Sequence, residues 1–247
     1  MRNVAEEAEH PSDNDLLAGL PKATQARIFP LLKKVNVDLG TVIYEAGQTV
    51  TQVYFPTDCI ISLLYVMLDG DSAEISVVGR EGMVGIAVFM GGASTPSRAV
   101  VQSAGTAYRL SARDLTHEFR NDSDVRMQML RYTQCLITQM AQTAVCNRHH
   151  TIDQQLCRWL LLSLDRLHGN HLTMTQELIA NMLGVRREGV TEAAGKLQKQ
   201  GVIEYRRGRI TVLDRAALEK LTCECYGVVK NETDRLMARS MRKQENR

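Results

Sequence analysis

The chain has 247 residues, 44% of them apolar and 23% charged. That composition supports a packed core and excludes disordered and fibrous classes. The net charge of +2 conceals an asymmetry: residues 151–247 carry 17 Lys/Arg against 12 Asp/Glu, and residues 1–150 carry 13 against 16, which points to a polyanion partner for the second half.

The longest apolar run, Cys59 to Leu68, holds ten residues, whereas a spanning helix needs about 20. The polar, acidic N-terminus lacks the apolar centre of a signal peptide. A cytoplasmic protein without a membrane segment is expected. Cysteines stand at positions 59, 135, 146, 157, 223 and 225 with no C-x-x-C pair. The Cys223-x-Cys225 pair lacks the other ligands of a zinc site in the sequence, so reduced structural thiols and no metal or cofactor are expected.

Residues 1–13 read as a disordered tail. Asp13 or Asn14 suits the cap of a short helix, and Lys22 to Lys34 reads as another. From Gly40 onward, short β-branched and aromatic runs follow: TVIY, QVYF, CIISLLYV, SAEISVV, GIAVF and SRAVVQS. Turn signals separate them, Asp69-Gly70 being the best hairpin turn. Short strands at such spacing predict an antiparallel roll over 14–121. Ser111 suits the cap of a short helix, with Asp114 three residues on.

Asp122 or Ser123 opens a longer helix to about Asn147. Val125, Met129, Tyr132, Leu136, Met140 and Thr143/Ala144 form one apolar stripe on it. Met127, Leu130, Ile137 and Ala141 lie off that stripe. Two apolar faces predict two packing partners, the roll and a second copy of the chain meeting over 122–147. His149-His150 falls at the end of a 122–150 hinge segment and reads as a solvated loop pair, with a pH or metal effect at the hinge as the alternative.

Ile152 to Leu167 is expected to be helical, ended by Gly169-Asn170. Thr175 suits the cap of a helix over Gln176 to Met182. Gly184 provides a tight turn, and a second helix runs from about Arg186 to Gln200 with Val190, Ala194 and Leu197 facing inward. Helix, glycine turn, helix is the helix-turn-helix pattern. VIEY and RITVL, joined through Arg206-Arg207-Gly208, add a hairpin with a basic tip, making a winged helix-turn-helix over 151–214. Residues 184–209 hold seven basic and three acidic side chains, a surface suited to phosphates. Arginines at the start of the second helix suit guanine O6/N7, and Glu188 suits cytosine N4. Past Asp214, Leu218, Leu221 and Val228 suggest a docking helix in a 215–247 extension that ends basic and frayed.

In this order of parts, with GMVG at Gly82 to Gly85, a later Ser97-Arg98, and GVRREGV leading into KLQKQGVIEYRRGRI, the chain resembles the cyclic-AMP receptor protein/FNR (Crp/Fnr) superfamily of bacterial transcription regulators. The resemblance spans about Asn14 to Asp214. It implies an α+β fold: an N-terminal antiparallel, cyclic-nucleotide-binding-like β-roll, a long dimerisation helix and a C-terminal winged helix-turn-helix. It implies a homodimer, double-stranded DNA bearing an inverted repeat, and RNA polymerase as a further partner. Arg187 and Glu188 match the family's Arg-Glu base readers, with Arg186, Thr191 and Lys196 on the same helix. Thr175 and Gln176 match its phosphate-touching helix start, and Arg206, Arg207 and Arg209 would touch phosphate from the wing. Glu192 stands where the family often has Arg.

The implied effector pocket involves Gly85, Ile86, Arg98, Ala99 and Thr143. Cyclic-nucleotide binders of the family carry a ribose-binding Glu where this chain has Ile86, and follow the phosphate-binding Arg with Ser or Thr where this chain has Ala99. An apolar Ile86 leaves a ribose hydroxyl unpaired, so orthodox cyclic-AMP sensing is not expected. An effector-independent regulator, controlled by abundance or thiol redox state, is the second reading. A metal-dependent enzyme on the roll is the remote third: it needs clustered ligands, and residues 11–116 contain no histidine. A non-enzymatic regulator is therefore expected.

Overall fold

The computed structural model describes residues 10–167 and 169–245. Of the expected tail, residues 1–9 lie outside the described residues. Pro11–Asp13 is not disordered but a single 3-10 turn, with His10 accepting from the Ser12 amide. Asn14 then caps α1 (Asp15–Ala18), accepting from the Leu17 amide. Its side-chain amide donates to the Pro56 and Gly82 carbonyls, tying the cap to the roll.

The helix expected over 22–34 is shorter. α2 (Lys22–Ile28) gives way to a 3-10 turn, Phe29–Leu31, because Pro30 lacks the amide and fixes φ. The residues beyond become strand β1 (Lys33–Val37). β2 (Val42–Tyr44), β3 (Gln52–Pro56), β4 (Ile60–Val66) and β5 (Ser72–Val78) follow the expected runs. GIAVF is not a strand: Gly85 takes φ +107, and the chain turns into the short helix α3 (Ala87–Met90). β6 (Arg98–Ser103) and β7 (Gly105–Ser111) complete the roll.

The roll is two antiparallel sheets, ordered β1-β7-β3 and β2-β6-β4-β5. Between them lie Val53, Phe55, Ile61, Val78, Met83, Val101 and Leu110, all buried. Ser111 accepts from the Asp114 amide and caps α4 (Ala112–Asn121). Asp122 caps α5 (Ser123–His149), accepting from the Asp124 and Val125 amides. On α5, Val125, Met129, Tyr132 and Leu136 join the core of the roll, and the Tyr132 hydroxyl donates to the Met83 carbonyl at 2.8 Å. The off-stripe Met127, Leu130 and Ile137, with Val145, remain 45–56% exposed.

A capping box at Thr151 and Gln154 starts α6 (Ile152–Leu164). β8 (His171–Thr173), not anticipated in the sequence, pairs with the hairpin of β9 (Ile203–Arg206) and β10 (Arg209–Val212). Between them lie α7 (Gln176–Leu183) and α8 (Arg187–Lys199). Two helices follow the hairpin, α9 (Arg215–Leu221) and α10 (Glu224–Glu245). α10 folds back beside α5, where the Gln134 side-chain amide donates to Glu232 Oε1 at 3.3 Å. Leu218 is buried, whereas Leu221 and Val228 are exposed, so the extension docks through residues other than two of the three expected. Among the described residues no helix is long and apolar enough to cross a membrane.

One apolar cluster crosses between the halves, joining Ile60, Leu64 and Val77 of the roll to α6 and the helix-turn-helix. Polar contacts reinforce it. Trp159 Nε1 donates to Glu74 Oε1 at 3.1 Å. Arg166, just past the end of α6, donates to Glu81 Oε1 at 2.7 Å and to Gln139 Oε1 at 3.2 Å, linking that end to the roll and the long helix.

Candidate nucleic-acid interface

α7 begins at Thr175, whose hydroxyl oxygen accepts from the Leu178 amide at 3.2 Å. It ends at Gly184, at φ +65, a left-handed position that glycine takes without steric cost. The helices pack through Ile179, Ala180, Leu183, Val190, Ala194 and Leu197, all buried. Small Ala180 and Ala194 permit close approach.

This packing sets the polar faces. Arg186 is the N-cap residue of α8 and supplies no side-chain cap. The first-turn amides of α8, at the positive end of its dipole, are therefore left without a cap from Arg186 and suit an anion. Arg186, Arg187 and Glu188 are all exposed there. Arg187 lines an open groove of about 340 Å³ with Thr175, Gln176, Glu177, Tyr205, Arg207 and Gly208. The groove brings the start of α7, the start of α8 and the wing together. Tyr205 was not singled out in the sequence. Its hydroxyl donates to the Met174 carbonyl at 2.8 Å and pins the wing to the segment that leads into α7. Burial raises the Tyr205 pKa, opposed by the Arg187 charge.

The wing turns tightly. Arg206 pairs with Arg209, and Arg207 and Gly208 both have positive φ, +50 and +78, as a type I′ turn requires. Gly208 suits this; Arg207 pays a local strain of roughly 1–2 kcal/mol. The turn holds the Arg206, Arg207 and Arg209 side chains outward. Arg206 lies 3.1 Å from Glu204.

Two expected contacts have other partners. The Thr191 hydroxyl lies 2.7 Å from Gln176 Oε1 and 3.0 Å from the Arg187 carbonyl, so it cross-braces the two helices. Lys196 lies 3.0 Å from Glu192 and 3.1 Å from Asp153. Hydrogen bonds to these two acids raise its pKa. Glu192, one turn past Glu188, thus has a partner on its own helix.

The expected effector residues are more dispersed. Gly85 is buried against Val53 and Val50. Ile86 packs on the core of the roll. Ala99 is buried, paired with Tyr44 and Leu63 of the neighbouring strands. Arg98 Nε lies 3.1 Å from Glu45 Oε2, an ion pair that offsets the charge an anionic ligand would use. Thr143 accepts from Arg158 Nη1 of α6 at 3.2 Å. Among the described residues, the metal-capable group consists of Cys146, His150, Cys223 and Cys225. The sequence reading of Cys223-x-Cys225 as lacking partners misses it, because its other two members lie about 75 residues earlier in the chain.

Comparison with known proteins follows the same division. Residues 34–122 match the model of the cyclic nucleotide-binding domain, and residues 154–221 match the Crp-like helix-turn-helix domain. No curated protein sequence matches. Among solved structures, the chain is similar to a transcriptional regulator of the Crp/Fnr family from Eubacterium rectale: 19% identity, TM-score 0.66, covering 85% of this chain and 98% of that one. It is similar to a CRP-family transcriptional regulator from Thermus thermophilus: 18% identity, TM-score 0.64, covering 75% and 95%. It is also similar to the c-di-GMP responsive global regulator CLP of Xanthomonas campestris: 14% identity, TM-score 0.62, covering 77% and 98%. At these identities the structural likeness shows the fold.

Proposed function

The chain belongs to the Crp/Fnr superfamily of transcription regulators, and from that premise we propose that it is a homodimer reading an inverted-repeat operator through paired α8 helices. The observation that carries this reading is the convergence of Arg187, Thr175, Gln176 and Arg207 on one groove. An uncapped helix start and a basic wing tip flank that groove. Arg187 and Glu188 are assigned as base readers. Thr175, Gln176, Arg186, Arg206, Arg207 and Arg209 are assigned to phosphate and the adjoining backbone. Thr191 acts by bracing Gln176, and Lys196 by holding Glu192.

The exposed seam of α5 supports the dimer. Met127, Leu130, Gln134, Ile137 and Ala141 recur at steps of three and four, the spacing of a helix-pair interface. Two recognition helices related by its two-fold axis would enter major grooves about 34 Å apart. Regulation through RNA polymerase belongs to the same reading.

For the sensor half, the reading is that cyclic AMP is not bound in the family's usual pose. Ile86 offers no acceptor, and Glu45 already pairs with Arg98. Selection of bound duplexes from a random pool by the purified chain, without added ligand, tests the proposal. Enrichment of an inverted repeat is expected. Failure of folded, dimeric protein to enrich any sequence, with or without cyclic nucleotides, would refute sequence-specific binding.

A further inference from the structure

The structure assigns Cys146, His150, Cys223 and Cys225 as a closed, four-ligand Zn²⁺ site that clips the C-terminal extension to the end of the long helix. Cys146 lies in the last turn of α5, and His150 is that helix's C-cap. Cys223 sits between α9 and α10, and Cys225 in the first turn of α10. Because α10 returns along α5, the three-residue Cys223-x-Cys225 motif meets the five-residue Cys146-x-x-x-His150 motif from far earlier in the chain.

The distances suit one ion. Cys146 Sγ and Cys223 Sγ are 3.5 Å apart, and Cys225 Sγ and His150 Nδ1 are 3.6 Å apart. All four ligand atoms lie within 4.8 Å of one another. Tetrahedral zinc, with Zn–S near 2.3 Å and Zn–N near 2.0–2.1 Å, places sulfurs about 3.8 Å apart and sulfur and nitrogen about 3.6 Å apart. The two distances therefore already match tetrahedral edges to within a few tenths of an ångström. A disulfide does not account for the group: 3.5 Å is far beyond the S–S bond of about 2.05 Å, and three cysteines cannot all pair.

The surroundings fit as well. His150 Nε2 lies 3.3 Å from Glu224 Oε2. A carboxylate on the outer nitrogen fixes the tautomer that leaves Nδ1 free to ligate. Three thiolates, one neutral imidazole and a divalent ion carry a net charge of −1. The buried guanidinium of Arg158, which donates from Nη1 to Thr143 at 3.2 Å and whose Nε has no hydrogen-bond partner, is a positive charge acting on Cys146; this cation offsets that charge. Three soft sulfurs and one imidazole select zinc over magnesium or calcium. With four protein ligands no position is left for substrate, so the site is structural.

Binding forms three Zn–S bonds and one Zn–N bond and releases three thiol protons to solvent, with no change of oxidation state. Its place gives it a mechanical role. His150 ends α5, and the next residue, Thr151, caps α6, so the ion would brace the link between the sensor half and the DNA-binding half. This assignment does not depend on the identity of the operator.

The test uses the full-length chain, purified reduced, stripped with chelator and titrated with Co²⁺ alone. One equivalent per chain is expected, with thiolate-to-cobalt absorption in the near ultraviolet and tetrahedral visible bands. Zn²⁺ should displace the cobalt mole for mole and raise the melting temperature. Cys225→Ser and the milder His150→Ala should each weaken uptake at least about tenfold, and Glu224→Gln by about tenfold. Cys59→Ala, which lies outside the group, should leave uptake unchanged. Folded, reduced wild-type protein that binds neither ion at micromolar concentration would overturn the assignment. So would uptake that survives Cys223→Ser combined with His150→Ala.

Discussion

The two halves of the chain keep their fold in different ways. In the DNA-binding half, the residues that suit DNA stand exposed, on elements that local sequence specifies. In the N-terminal half, two residues proposed for an effector pocket have partners within the protein: Ile86 packs on the core and Arg98 pairs with Glu45. Whatever it binds, the roll has a mechanical part in the fold. The roll still contributes Ile60, Leu64 and Val77 to the core it shares with the helix-turn-helix.

The largest expected effect tests the proposed dimer. Leu130→Glu with Ile137→Glu places charge on the exposed seam of α5. The variant should sediment as a monomer and lose operator affinity by roughly 10²–10⁴-fold, the scale of lost bivalency. A dimeric variant would move the interface elsewhere.

Next is Arg187→Ala. It should cost about 1–3 kcal/mol and relax specificity at one base pair per half-site, as read from binding to a set of singly substituted operators. The wing is expected to behave differently. Arg207→Ala should weaken all duplexes alike and reduce the slope of log affinity against log salt by about 1.

A pH-dependent effect on stability probes the contact between the halves. Burial raises the Glu74 pKa to about 7, against hydrogen bonds from Ser62 and Trp159 and the charges of Arg158 and Arg166. The folded state thus holds a proton that the unfolded state releases near pH 4.5. The stabilisation is complete below that pH and is lost as pH rises through about 7, amounting to about 3 kcal/mol at most. Urea unfolding from pH 4.5 to 7.5 should show stability falling across this window. Glu74→Gln, which remains neutral, should flatten the slope.

Legibility in the sequence follows the range of the contacts. The helix-turn-helix is readable because a cap at Thr175, a turn at Gly184 and two basic-tipped strands lie within about 40 residues. The caps at Ser111 and Asp122 are readable for the same reason. KKVNV and GTAYRLS hide strands β1 and β7, because lysines, glycine and arginine break the apolar alternation. GIAVF misleads in the other direction, since a short apolar run suits strand and helix equally. Two apolar sets on α5 are visible in the sequence, but which one faces the roll depends on packing. The Cys/His group is invisible because it forms only when α10 folds back onto α5.

The most direct test of the contrast is a titration of the full-length chain against its selected operator, followed by fluorescence anisotropy, with and without saturating cyclic AMP. Salt-sensitive binding without nucleotide, at an affinity that cyclic AMP leaves unchanged, is expected. Binding that appears only when cyclic AMP is added would contradict that expectation.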